Sequence, residues 1–406
     1  MTNLLWPGDQ RAGAHLTDAA LLALMVAVES AWLGALAAAG LAPGEGTDLS
    51  NLVGDDDREP LAAAAEGGGN PVIGLVELLR ARAAPAAARW IHRGLTSQDV
   101  LDTALMLGVR GVVDALTAEL TQQLSTLSAL ATAHRGTPMM ARTLTQHAAP
   151  TTFGVKASVW LNGVADALEG LRGLVTPIQI GGAAGTRAGA TELAALLTDA
   201  ADPAEVSDRL TRSAATALGL APRSPWHTTR TPVTAAGDAF VGCTDSWGRI
   251  ASDVVTLVRP EVGELGEPAG EHRGGSSSMP HKRNPVLSIL IRRAAIAAPP
   301  LAATLHTAAA LADDERPDGG WHAEWDTLRT LARRTLVAGS QCGELLAGLQ
   351  VHSARMAENL RMTDVYGEQR AIAELAGKAA SATYFGAADR LIDESLARAE
   401  RILKNR

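Results

Sequence analysis

The segment best equipped for chemistry is Gly270 to Pro285, which reads Gly-Glu-His-Arg-Gly-Gly-Ser-Ser-Ser-Met-Pro-His-Lys-Arg-Asn-Pro. Its glycines and serines predict a flexible loop. Asn284-Pro285 then reads as a capping residue followed by proline at the start of a helix. A helix amino end carries unpaired N–H donors and partial positive charge, so it suits a carboxylate. Lys282 adds a full charge, flanked by His281 and Arg283. A solvated Gly/Ser linker before an ordinary cap accounts for the same residues. Thr96 and Ser97 fit a helix cap, with Asp99 in the first turn. His92 and His147, taken alone, fit core or surface histidines. The glycine run Gly181 to Thr186 lacks the lysine of a phosphate loop. His322 and Glu324 do not form the HExxH zinc spacing, so no metal is expected.

These residues need long elements to position them. From Leu101 the apolar positions run Leu105, Val109, Val112, Leu116, Leu120, Leu124, Leu127 and Leu130. That is 29 residues in eight steps, about 3.6 per step, and predicts a helix from near Gln98 to His134. Such a helix is on the order of 50 Å long. A second helix is predicted over Val233 to Leu257, stopped by Pro260, and a third from Asn284 to about Ala312, kinked at Pro299-Pro300. Thr152 to Val175 and Trp321 to Leu349 read as two more. Helices this long make sense side by side in a bundle, continuing across a subunit interface. Ala19 to Val28 reads as part of an amphipathic helix from Thr17 to Gly40, too short in its apolar run to span a bilayer. No strand-rich domain is expected.

Composition agrees with a helical reading. Of 406 residues, 47% are hydrophobic but only 3% aromatic, so the core must be mostly Ala, Leu and Val. Two cysteines, Cys243 and Cys342, make no disulfide framework, which points to a reducing cytosol. Met1 to Gly13 has no basic stretch leading into an apolar one, so no targeting signal is expected and the chain is read as cytoplasmic. A net charge of −8 argues against a general nucleic-acid or anionic-membrane surface. A local basic pocket remains compatible with it.

Three blocks carry a family resemblance. Gly275 to Pro285 resembles the GSSxMPxKxNP signature of the fumarase/aspartase superfamily. His92 to Asp99 is similar to its HxGxTSxD segment, and Arg142 to Gly154 to its second block. The resemblance implies an all-α, fumarase/aspartase-like fold: a long central bundle, completed in a homotetramer whose active sites are shared between subunits. Its domains would be residues 1–96, 97–349 and 350–406, the last one short. It also implies that Ser277 handles the proton on the carbon beside a carboxylate, giving a dianionic aci-carboxylate that fixed donors and cations must stabilise. Lys282 and His147 would join it in catalysis. Thr96, Ser97, Thr143, Gln146, Met279 and Asn284 would bind substrate, without any cofactor or metal.

One departure separates the members. Fumarases, aspartases and adenylosuccinate lyases usually carry Thr-His in the second block, where this chain has Thr143-Leu144. A leucine cannot transfer a proton. The 3-carboxy-cis,cis-muconate cycloisomerases typically place an apolar residue there. Pro225 to Arg230, Gly320 to Trp325 and Gly181 to Thr186 also resemble stretches of those enzymes, although Thr231-Pro232 replaces an expected Asp after Arg230. The resemblance therefore implies lactonisation of a small tricarboxylate, with Lys282, Arg230, His227 and Arg142 as its cations, and Arg283 and Arg187 as further candidates. A fumarate-releasing lyase of the adenylosuccinate type and a non-catalytic, crystallin-like bundle are the alternatives.

Overall fold

The computed structural model describes residues 3–270, 273–276 and 278–404. Ser277, the expected proton carrier, lies outside the described residues.

Helices dominate. The first part of the chain forms α1 (Asp18–Ala38), α2 (Arg58–Gly68), α3 (Val72–Arg82), α4 (Pro85–Ala88) and α5 (Ser97–Ala133). A hairpin follows, β1 (Pro138–Thr143) and β2 (Gln146–Thr152), and then α6 (Phe153–Arg172), α7 (Ala188–Leu197) and α8 (Pro203–Leu218). The long α9 (Thr231–Leu257), α10 (Val286–Ala310) and α11 (Gly319–Ala347) complete the set of extended helices. The short strands β3 (Leu265–Gly266) and β4 (Gln350–Val351) pair with each other, and α12 (Ser353–Arg361), α13 (Gly367–Ala376) and α14 (Ala388–Lys404) follow. The five long helices from α5 to α11 agree with the expected spans to within a few residues.

The chain forms two compact units. The first comprises Met1–Asp114, Leu174–Asp238 and Pro300–Arg333; the second comprises Ala115–Gly173, Ala239–Pro299 and Arg334–Arg406. Helices α5, α9, α10 and α11 each contribute residues to both. The leucine and valine seam of α5 is buried from Leu105 to Leu127, as a 3.6-residue period requires of a helix packed along its length.

In the second unit the core is built on Leu116, Leu120, Leu124, Phe240, Trp247 and Leu345, all essentially inaccessible. Burying the Trp247 indole obliges its N–H to find an acceptor, which is Gln123 Oε1 at 2.7 Å. Gln123 Nε2 in turn donates to the Gly339 carbonyl at 3.0 Å. Helix α14 packs on α6, with Ile392, Ala399 and Ile402 inward and Arg398 reaching Asp166 at 2.6 Å.

Two expectations are corrected here. The α1 segment is helical, but its apolar residues run all the way round it rather than on one face. Burial alone distinguishes the faces, with Leu22, Met25, Glu29, Trp32 and Leu36 inward. It is also not too short to span a bilayer: by length and composition α1 and α10 could each do so, though half of the most apolar window of α1 is buried inside the protein. The β1–β2 hairpin is an element the sequence reading did not place; as expected, there is no strand-rich domain among the described residues.

Both cysteines are fully buried, and burial pushes the Cys243 thiol up to about 12 and that of Cys342 higher still. A thiolate is the reactive form. Native protein at pH 8 should therefore give no rapid colour with Ellman's reagent, and two thiols per chain after unfolding in guanidinium.

Candidate active site

In the first unit the first block is organised by one buried carboxylate. Thr96 precedes α5, and Asp99, three residues on, reaches back to accept from the Thr96 backbone N–H at 2.9 Å. That is half of a capping box. The same carboxylate accepts from the backbone of Gly181 at 2.8 Å and of Gly182 at 2.9 Å, and contacts His227 Nε2 at 2.9 Å. Asp99 and His227 are both buried. The glycines are needed for this approach: a Cβ on Gly181 would sit 2.6 Å from His227 Cε1, and Gly182 has φ +67°. The glycine run is thus a cradle for a side chain of the protein itself.

A few residues away, Arg230 lies between two carboxylates. Its guanidinium donates to Asp102 at 2.7 and 3.0 Å and to Glu324 at 2.6 and 3.1 Å, and it stacks on Trp226 with its carbon 4.9 Å from the ring centre. Trp321 Nε1 also donates to Asp102, at 2.9 Å. Burial alone would lower the Arg230 pKa; Asp102 and Glu324 outweigh it and raise it, so the charge is locked in. Glu324 shifts upward, driven first by burial and opposed by Arg230. His227, expected to meet substrate, is held through Nε2, and its buried Nδ1 has no hydrogen-bond partner among the described residues. Arg230, also expected to do so, has its guanidinium taken up by Asp102 and Glu324. Arg187 is likewise paired, with Asp208.

Ser97 is half-buried, and its hydroxyl has no hydrogen-bond partner among the described residues. Thr96 Oγ1 accepts from Arg316 Nη1 at 2.9 Å, and Arg316 packs over Trp321 at 5.7 Å. Among the described residues Arg316 has no carboxylate partner. Sequence reasoning missed it. The available signal was its place in the polar run Asp313 to Asp318, just before the predicted α11.

In the second unit the second block is the hairpin. Thr143 pairs with Gln146 across a two-residue turn, and Arg142 with His147. Both turn residues have positive φ, Leu144 at +47° and Thr145 at +71°, the pattern normally met by Asn-Gly. Leu144 is 96% exposed at the tip. Thr143 and Gln146 are exposed beside it, and His147 contacts Thr363 Oγ1 through Nδ1 at 2.8 Å. Arg142 points the other way, in a two-pronged pair with the buried Glu264 at 2.7 and 3.0 Å. It too departs from the expected role as a substrate cation.

The third block is a loop closed at its base. Gly274 and Gly275 meet Asn284 and Arg283: the Asn284 backbone donates to Gly274 O at 2.8 Å, its side chain to the same oxygen at 3.3 Å, and Gly275 bridges to Arg283. A Cβ on Gly274 would lie 2.6 Å from Asn284 O, so this closure requires glycine. Asn284 thereby ties the base of the loop. The start of α10 is also occupied, because Glu267 accepts from the N–H groups of Leu287 at 3.1 Å and Ser288 at 2.8 Å. The carboxylate expected at this helix end is therefore the protein's own. Met279 is 40% exposed on the loop, beside Lys282. The ammonium of Lys282 and the guanidinium of Arg283 are exposed and have no ion-pair partner among the described residues.

An apolar cleft of 340 Å³ in the first unit, lined by Leu22, Met25, Leu61, Leu101, Leu105 and Trp325, includes no residue of the three blocks. Its other walls bring Arg58 and Arg329 together with Asp18 and Asp326, so the cleft carries no net positive charge for a polyanion.

Residues 51–298 match the sequence family described as Lyase. The chain is 45% identical over 359 residues to the nitrosuccinate lyase of Streptomyces davaonensis, a match covering 86% of this chain and 74% of that one. This chain belongs to the lyase family. It is 41% identical to the 3-carboxy-cis,cis-muconate cycloisomerase of Bradyrhizobium diazoefficiens, over 86% of this chain and 77% of the relative. Among solved structures, the 3-carboxy-cis,cis-muconate lactonizing enzyme of Pseudomonas putida superposes with a TM-score of 0.81 at 31% identity, covering 99% of this chain and 88% of that one. The fold is accordingly the fumarase/aspartase type, and the protein is an enzyme of the lyase or cycloisomerase kind.

The two classes of cation in this lyase should separate by mutation. Arg230→Met leaves Asp102 and Glu324 buried without their counter-charge and should cost about 3–5 kcal/mol in urea unfolding. Lys282→Met, exposed on a loop, should stay within about 0.5 kcal/mol of the parent.

Proposed function

We propose that this lyase is a cofactor-independent cycloisomerase that converts 3-carboxy-cis,cis-muconate to 4-carboxymuconolactone. The observation that carries this reading is Leu144 at the exposed hairpin tip, where relatives that protonate a leaving group carry histidine. Lactonisation has no leaving group. A substrate carboxylate oxygen forms the new C–O bond, and the alkene electron pair moves into the neighbouring carboxylate to give the aci-carboxylate. That species then takes a proton at carbon from the Ser277 hydroxyl. Holding the oxygen near the alkene supplies the proximity advantage. Lys282 is the cation assigned to the dianion, with Thr143, Gln146, His147 and Met279 around the substrate. Thr96, Ser97 and Arg316 are assigned to another carboxylate. Arg142, His227, Arg230 and Asn284 act through the framework. The three-part division at residues 96 and 349 belongs to this proposal, as do a cytoplasmic location and a homotetramer with shared sites. Ile289 and Ile296, exposed seven residues apart on α10, support the last of these as an apolar face that subunits would cover.

A second reading is favoured by the nitrosuccinate lyase relative. Ser277 as base would remove the proton beside a carboxylate, and nitrite would depart with the bonding pair to leave fumarate. Nitrite is stable as an anion, so this reaction also has no need of an acid at residue 144. Elimination of an amine, as from adenylosuccinate, does need one.

Purified protein offered each of the three substrates separates these readings. The lactone is identified by NMR, nitrite by diazo coupling and fumarate by absorbance. Lactone formation is the expected result; turnover of adenylosuccinate alone overturns both readings. Ser277→Ala should lower turnover by roughly 10²–10⁴-fold with the fold intact by circular dichroism. Light scattering should give four times the chain mass, and a monomer with full activity would rule out shared sites.

A further inference from the structure

The segment before α5 holds a second built feature. His92 has φ +62°, a left-handed backbone that side chains other than glycine adopt at a cost of order 1–3 kcal/mol. Such a conformation persists only where its surroundings hold it. Here they do so from two helices: Trp32 Nε1 of α1 donates to the Arg93 carbonyl at 2.7 Å, and Arg80 of α3 donates to the Ile91 carbonyl at 2.8 Å. Between these two clamps, His92 Nδ1 meets Glu29 Oε1 at 2.6 Å. Glu29 is completely buried on α1, while the His92 side chain retains 17% exposure. A carboxylate can only accept here, so Nδ1 carries the proton. Nε2 is left as the ring position open to a ligand, and it has no partner among the described residues.

We propose that Glu29 is a positioning residue for His92, fixing its tautomer and aim so that Nε2 hydrogen-bonds an oxygen of the carboxylate substrate. The proposal rests on the reading of the three blocks as a carboxylate-handling site. A surface histidine would not need a fully buried carboxylate or a strained backbone. The dyad places an oriented imidazole four residues before Thr96, in a chain whose second block lacks one at residue 144. The invested strain is then explained by function, because the left-handed turn is what allows the ring to meet Glu29 and still reach solvent.

The test uses full-length protein with ¹⁵N-labelled histidine, the His92 ring being assigned from its loss in His92→Asn. Wild type should show a single Nδ1-protonated tautomer, and added fumarate should move the Nε2 signal. Glu29→Gln should mix the tautomers and lower kcat/KM on the substrate that is turned over by tenfold or more, with Glu29→Asp recovering part of the loss. His92→Asn should match Glu29→Gln. An unmixed tautomer in Glu29→Gln, an Nε2 signal indifferent to fumarate, or full turnover by His92→Asn each overturns the proposal. Absence of turnover by wild type on every substrate would sink the proposed function instead, and the fumarate titration still decides this one.

Discussion

The arrangement of the first unit depends on satisfying a carboxylate that water cannot reach. Asp99 is sealed from solvent, so each of its lone pairs must meet a donor or cost on the order of a few kcal/mol. The donors it collects come from its own helix cap, from two consecutive glycine amides and from His227. These lie up to 131 residues apart in the chain. One side chain thereby sets the start of α5, the path of the Gly181–Gly182 turn and the ring of His227. The hydroxyls of Thr96 and Ser97, at the start of α5, inherit their positions from it.

Charge is apportioned by the same logic. Arginines that resemble substrate cations by type are, in three cases, paired with the protein's own acids: Arg142 with the buried Glu264, Arg230 with the buried Asp102 and Glu324, and Arg187 with the more exposed Asp208. Burying a guanidinium without such partners would be prohibitive, so burial and pairing go together. The cations left without an acid partner among the described residues of the three blocks and their neighbours include Lys282, Arg283, Arg93 and Arg316, on loops where solvent screens them. In the proposed reaction a polyanion would meet a protein of net charge −8 through these few groups, which favours a site that excludes water once filled.

The long helices were legible because their signal is repetitive. A seam like that of α5 runs for eight turns, and no local exception can hide it. The three blocks were legible because chemistry ties fixed residue types to fixed spacings. The hairpin was not, since Leu144-Thr145 lacks the Asn-Gly chemistry that ordinarily announces such a turn, and its flanks mix threonine with methionine instead of alternating cleanly. The cap of α10 was misjudged for a related reason. Glu267 stands 20 residues before the N–H group of Leu287 that it receives, and spacing alone does not show a loop folding back.

Sequence by itself determined the helical class, the spans of the long helices and the identity of the residues able to handle a carboxylate, because these follow from local periodicity and side-chain chemistry. Tertiary structure alone decided which of those residues are occupied by the protein itself. Whether an arginine faces a ligand or a buried glutamate depends on which distant segments are brought together, and a carboxylate from anywhere in the chain can claim it. Arg230 and Arg316 look alike in the sequence; packing confined one between two acids and left the other beside Thr96.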